Sequence, residues 1–150
     1  MIAVVGYGSL IRSDDSAGLK AVEILKERFG EENLGFFYGY NAVDLLGEFE
    51  NYNKFIIIDS AFLEKNPGEY VRGSIYDIDM PDDTSSSHTT NFKELLKNAK
   101  EMNLNIPEIV FYLIEPKDVE IGEELTPEVE EGFKKMIEEI TEEINDDSKK

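Results

Sequence analysis

The chain has 150 residues, 41% of them apolar, and its 33 acids against 15 bases give a formal net charge of −18. That length suits one domain spanning 1–150 that can bury roughly 70% of its unfolded surface, and the apolar content excludes wholesale disorder. The negative field repels phosphate backbones and anionic lipid, and the absence of cysteine removes disulfides, thiolate zinc sites and cysteine nucleophiles.

Ile2-Ala3-Val4-Val5 is a short apolar run suited to a buried strand, and it stops at Gly6. Gly6 and Gly8 let the backbone turn sharply. Ser13, Asp14 and Asp15 then offer oxygens to the orphan N–H groups of a first helical turn. The spacing of Ala17, Ala21, Val22, Leu25 and Phe29 predicts a helix over residues 16–29, closed by Gly30. Residues 34–40 read as a second strand, and 41–50 as a short helix with Val43, Leu46 and Phe49 facing inward. Phe55-Ile56-Ile57-Ile58 is the clearest buried strand, and Asp59 ends it. The order βαβαβ implies a parallel sheet with right-handed crossovers, in which the first and third strands are neighbours.

Asn66-Pro67-Gly68 signals a turn, and residues 69–78 alternate polar and apolar as a half-buried edge strand does. That segment follows Asp59 too closely for a helical crossover, so it is expected to run antiparallel. Residues 80–87 are polar loop. Phe92, Leu95, Leu96 and Ala99 form a helical stripe within 89–102, and residues 109–114 make another buried strand ended by Glu115-Pro116. Thr126 and Pro127 open a last helix through Phe133, Met136, Ile137, Ile140 and Ile144, with 146–150 as a frayed tail.

Carboxyl ends of strands in α/β sheets are where such folds bind ligands. Asp59 and the pair Asp14-Asp15 lie at two such ends. His88, the single histidine, precedes a helix. Taken alone, each has a plain structural role: strand-end cap, helix-dipole partner, solvated loop residue. Together, two carboxylates and an imidazole make a three-ligand metal site with open positions. The serines, including Ser13, Ser60 and Ser85 to Ser87, lack a G-x-S-x-G elbow, which counts against a serine hydrolase. A nucleotide site is disfavoured too: Ile11 stands where G-x-G-x-x-G needs its third glycine, and two acids at the helix start repel pyrophosphate.

The run Gly6-Tyr7-Gly8-Ser9-Leu10 through Asp14-Asp15-Ser16-Ala17-Gly18 resembles the opening motif of the nickel–iron hydrogenase maturation endopeptidases. Ile58-Asp59-Ser60-Ala61 with Asn66-Pro67-Gly68-Glu69 resembles their second motif, and Ser87-His88 ahead of Phe92 their third. Ile114-Glu115-Pro116 and Leu125-Thr126-Pro127 match the tail. Ser9 replaces the usual Asn, Ser16 the usual Gly, and Tyr38-Gly39-Tyr40-Asn41 the usual D-G-G step. The likeness implies a three-layer α/β/α sandwich around a five-stranded, mostly parallel twisted sheet with one antiparallel strand. It implies an endopeptidase that removes the C-terminal extension of a hydrogenase large-subunit precursor once nickel is installed. It assigns Asp15, Asp59 and His88 as catalytic and metal-contacting residues, with Gly6, Gly8, Ser9 and Asp14 contacting substrate. Nickel would arrive on the precursor, the free protein being metal-free and monomeric. The alternative is a non-catalytic module that senses metal or holds the precursor. No apolar run approaches the roughly 20 residues that span a bilayer. With no leader-like segment after Met1 either, a cytoplasmic protein free of nucleic acid and membrane is expected.

Overall fold

A computed structural model describes residues 1–74 and 87–148, without the side chains of Ala42 and residues 87–91. In chain order the elements are β1 (Ile2–Gly6), a 3-10 turn (Ser13–Ser16), α1 (Ala17–Phe29), β2 (Leu34–Tyr38) and α2 (Ala42–Leu46). They continue with β3 (Lys54–Ser60), β4 (Tyr70–Gly73), α3 (Ser87–Glu101), β5 (Glu108–Ile114) and α4 (Pro127–Ser148). The strands form one sheet in the order β2-β1-β3-β5-β4. β1 pairs in parallel with β2 and β3, and β3 with β5, while β4 runs antiparallel along β5. The parallel pairs follow from helical crossovers. The link from β3 to β4 has no helix in which to return the chain, so β4 reverses direction at the edge.

β1 and β3 are buried along their whole length, as expected of central parallel strands. Successive side chains go to opposite faces. Ile2, Val4, Ile56 and Ile58 join Val22 and Leu25 of α1 and Met136 and Ile140 of α4 in one apolar layer. Ala3, Val5, Phe55 and Ile57 join Leu45, Phe49, Phe92 and Leu96 of the α2 and α3 side in the other. The result is the α/β/α sandwich with a five-stranded mixed sheet.

Several boundaries differ from the sequence reading, and α3 begins two residues earlier than expected. β2 stops at Tyr38, because Gly39 turns the chain at φ +62°. The second helix covers only Ala42–Leu46, started by the Asn41 side chain, which accepts from Asp44 N at 2.9 Å. Beyond it the bonds Gly47 N to Asp44 O, Glu48 N to Leu45 O and Phe49 N to Leu46 O tighten the coil to about three residues per turn. That phase buries Leu45 and Phe49 and leaves Val43 69% exposed, not inward. The expected edge strand is β4 over Tyr70–Gly73, with Glu69 and Ser74 outside it; residues 75–78 lie outside the described residues, as does the polar loop from 80 to 86, and Ser87 already opens α3. Finally, α4 continues through Ser148, past the point where a frayed tail was expected. The reason is Lys54, only 6% exposed, whose ammonium bonds Asp147 and Glu143 of that helix.

Glu143 sits at the centre of this network. It accepts from Arg72 Nε at 2.7 Å, Arg72 Nη2 at 2.9 Å, Lys54 Nζ at 2.7 Å and the Tyr112 hydroxyl. Burial alone would raise its pKa, but donation from Arg72, Lys54 and Tyr112 outweighs it and brings the carboxyl down to about 2. Burial pushes the Lys54 ammonium down, and the bonds to Asp147 and Glu143 outweigh that and raise it. The cluster ties α4 to β3, β4 and β5 of the sheet. Among the described residues no helix is long and apolar enough to cross a membrane.

Candidate active site

In the order β2-β1-β3-β5 the connections diverge between β1 and β3, and that switch point is where α/β sheets bind ligands. The register pairs Gly6 with Ile58, and Tyr7 N donates to Ile58 O at 3.0 Å, so the two strand ends emerge side by side. The start of α1 lies directly on them. A Cβ on Gly18 would meet Tyr7 O at 2.3 Å and Ile58 O at 2.4 Å. Gly8, at φ +131°, adopts a conformation other residues avoid, and a Cβ there would lie 1.9 Å from Asp15 O. Ser9 N donates to that same oxygen at 3.2 Å. Gly6, Gly8 and Ser9 thereby set the backbone that carries Asp15 over the end of β3.

Asp15 and Asp59 are joined through one residue. Ser60 N donates to Asp59 Oδ1 at 2.8 Å, and the Ser60 hydroxyl donates to Asp15 Oδ1 at 2.8 Å. Asp59 is 2% exposed, whereas Asp15 is partly open to solvent. Tyr7, also buried, lies near enough to Asp59 that burial first, and then that carboxylate's charge, hold its phenol above the ordinary range. The Tyr7 ring meets Phe92 edge-on at 6.2 Å, and Phe92 meets Phe111 at 5.4 Å. α3 therefore enters beside Tyr7 one turn after position 88. The backbone of His88 is in the first turn of α3, and its side chain lies outside the described residues. Among the described residues no group of three His, Cys, Asp or Glu can hold a metal ion.

Asp14 has a task different from the substrate contact expected of it. It is fully buried and accepts from Lys117 N and Asp118 N at 2.9 Å, Thr126 N at 2.7 Å and the Thr126 hydroxyl at 2.9 Å. Both oxygens are thus engaged by the segment between β5 and α4, and neither is left to a substrate. Nor do the acids cap α1: its N-cap is Ser16, with no side-chain cap bond. Ser16 Oγ donates instead to Ser13 O at 2.6 Å. Ser13 is held at φ +44°, where its N–H donates to Gly122 O at 2.8 Å and its hydroxyl to Glu120 O at 3.0 Å.

Two residues went without a role in the sequence reading. Tyr7 carried one signal, a large aromatic between two glycines. Glu115 entered the sequence reading only as a strand end and as part of the tail motif, with no role assigned. It is 5% exposed, and its Oε1 accepts from Leu63 N at 2.7 Å and Lys65 N at 3.0 Å, which shapes the loop after Asp59. Around the site the side chains of Leu10, Ile11, Phe62 and Ile121 are exposed, Ile121 at 90%. The isolated parallel bridge of Arg12 with Gly122 sets Ile11 beside Ile121 in register.

The oxygen donors present suit a divalent cation of intermediate hardness, and with an imidazole they leave coordination positions open. Asp15 Oδ1 is taken by Ser60, and Oδ2 carries no hydrogen bond among the described residues.

The family model described as hydrogenase maturation protease matches residues 19–143. Among solved structures, the [NiFe] hydrogenase maturation protease HybD from Thermococcus kodakarensis is 29% identical, with a TM-score of 0.75 over 95% of this chain and 97% of that one. The hydrogenase maturating endopeptidase HybD from E. coli is 22% identical, with a TM-score of 0.78 over 97% and 93%. A maturation protease HycI from Thermococcus kodakarensis is 18% identical, with a TM-score of 0.72 over 94% and 90%. No curated protein sequence matches the chain.

Proposed function

The chain belongs to the hydrogenase maturation protease family, hydrolases that process the C-terminus of a hydrogenase large subunit, and we propose that Asp15, Asp59 and His88 form its metal-contacting active site. The observation that carries this reading is the serine link between Asp15 and Asp59, which holds two acids from different elements within two hydrogen bonds of each other. Ser60 holds both acids side by side at the strand ends, where their like charges favour a cation. A cation between them offsets their repulsion. His88 supplies the third ligand from the start of α3, on the side of the sheet where Tyr7 and Phe92 meet.

Nickel belongs to the substrate. Two carboxylates and one imidazole are an incomplete shell for it, and high-affinity nickel binding wants sulfur, which this chain lacks. A precursor that presents nickel on its own thiolates gains these ligands only after the metal is installed. The exposed Leu10, Ile11, Phe62 and Ile121 give the precursor apolar surface to cover beside the acids. Asp15, Asp59 and His88 would hold that metal as the mark of a loaded precursor, and a divalent cation there would supply a Lewis acid beside the bond to be cut. Gly6, Gly8 and Ser9 shape the wall along which the substrate lies.

The test is co-expression with a candidate large-subunit precursor, read by the intact mass of that subunit. The wild type shortens it, and Asp59→Ala leaves it full length while its circular dichroism is unchanged. Shortening by Asp59→Ala at the wild-type rate overturns the assignment. Binding of the precursor with no shortening by the wild type favours the non-catalytic alternative.

A further inference from the structure

We propose that Ser60 is a positioning residue that fixes the orientation of Asp15 for cation binding, an inference that rests on the metal-contacting reading of Asp15 and Asp59. Ser60 closes β3 and is 6% exposed. It has two donors pointing at two carboxylates: its N–H to Asp59 Oδ1 and its hydroxyl to Asp15 Oδ1, both at 2.8 Å.

The two arms differ in kind. The arm to Asp59 is backbone and comes with any residue at position 60. The arm to Asp15 exists only because the side chain ends in a hydroxyl. A serine hydroxyl has one proton to donate. Given to Asp15 Oδ1, it ties that oxygen to the end of β3 and leaves Oδ2 without a hydrogen bond among the described residues. Hydrogen bonds to carboxylates are about twice as strong as neutral ones. Ser60 thereby favours ligation through Oδ2 and ties Asp15 to the strand end that carries Asp59.

Groups that orient a metal ligand typically contribute 10–100-fold in metal affinity. The probe is free Ni²⁺ titrated calorimetrically into the full chain, with thermal melting of each variant alongside. Ser60→Ala is expected to bind Ni²⁺ about tenfold more weakly than wild type. Ser60→Thr, which keeps the hydroxyl, is expected to restore most of that loss. Ser60→Gly is a second hydroxyl-free variant, should the alanine form fail to fold.

A double-mutant cycle supplies the readout that a merely structural role would not move. In an Asp15→Ala background, adding Ser60→Ala is expected to cost nothing further. Undiminished Ni²⁺ affinity in Ser60→Ala overturns the proposal while leaving the site reading intact. So does a full additional loss in the double variant, because Ser60 would then act otherwise than through Asp15. Unchanged affinity in Asp15→Ala alone overturns the site reading itself, and the proposal with it.

Discussion

Adjacent acids with opposite assignments make the sharpest comparison in this chain. Asp14→Ala removes the acceptor for three backbone N–H groups and one hydroxyl in a fully buried position. Breaking a buried, hydrogen-bonded charge site costs about 3–5 kcal/mol, and hydration of the freed N–H groups sets the lower end. For a domain of this size each kcal/mol lowers Tm by about 2–4 °C, so the melt should fall by roughly 6–20 °C. Asp15→Ala loses one serine hydrogen bond from a partly exposed carboxylate and relieves its repulsion with Asp59, so the change should be no more than about 1 kcal/mol. Urea denaturation and intact-mass processing assays on both variants, made side by side, give the comparison. Asp14→Ala should be unstable yet show residual processing when kept cold, and Asp15→Ala should be stable and inactive. An Asp14→Ala protein as stable as wild type but unable to process would refute the division of labour.

The Glu143 network makes a pH prediction. Its folded pKa of about 2 lies below the ordinary value of 4.5, so its contribution is full above about pH 4.5 and is lost as pH falls toward 2. The stability gap between wild type and Glu143→Gln should be widest at neutral pH and should close through that acid window, and a gap independent of pH counts against it. Gly18→Ala puts a methyl 2.3–2.4 Å from two strand carbonyls, where real Cβ atoms do not sit. It should cost at least about 2 kcal/mol in urea denaturation and weaken processing, because α1 must lift and carry Asp15 with it. Wild-type stability there would show that the helix start is not seated as described.

Much of the fold was legible because its signals are local. Four apolar residues ending in Asp59, and an apolar run ending in Gly6, needed only run length to read as central strands. The short link after Asp59 needed only the geometry of crossovers to give an antiparallel β4. The misreadings came where the deciding partner is distant in sequence. Asp14 looks like a capping acid until segment 117–126 folds over it, more than a hundred residues away. The end of α4 looks frayed until Lys54 reaches Asp147. Val43 and Leu45 exchange roles because a cap and a tightened turn, invisible in an apolar count, set the phase of α2. At the site, strand-end placement was enough to bring Asp15 and Asp59 together. The hydroxyl of Ser60, weighed from sequence only as a nucleophile, proved to be the donor between them.

The central claim is that these residues recognise a metal the substrate brings. The direct measurement incubates the purified chain with precursor prepared with and without nickel, and follows release of the C-terminal peptide by mass. The account predicts release from the nickel-loaded precursor alone, with no activation of the nickel-free form by free nickel added to the protease. Equal release from both forms would contradict it.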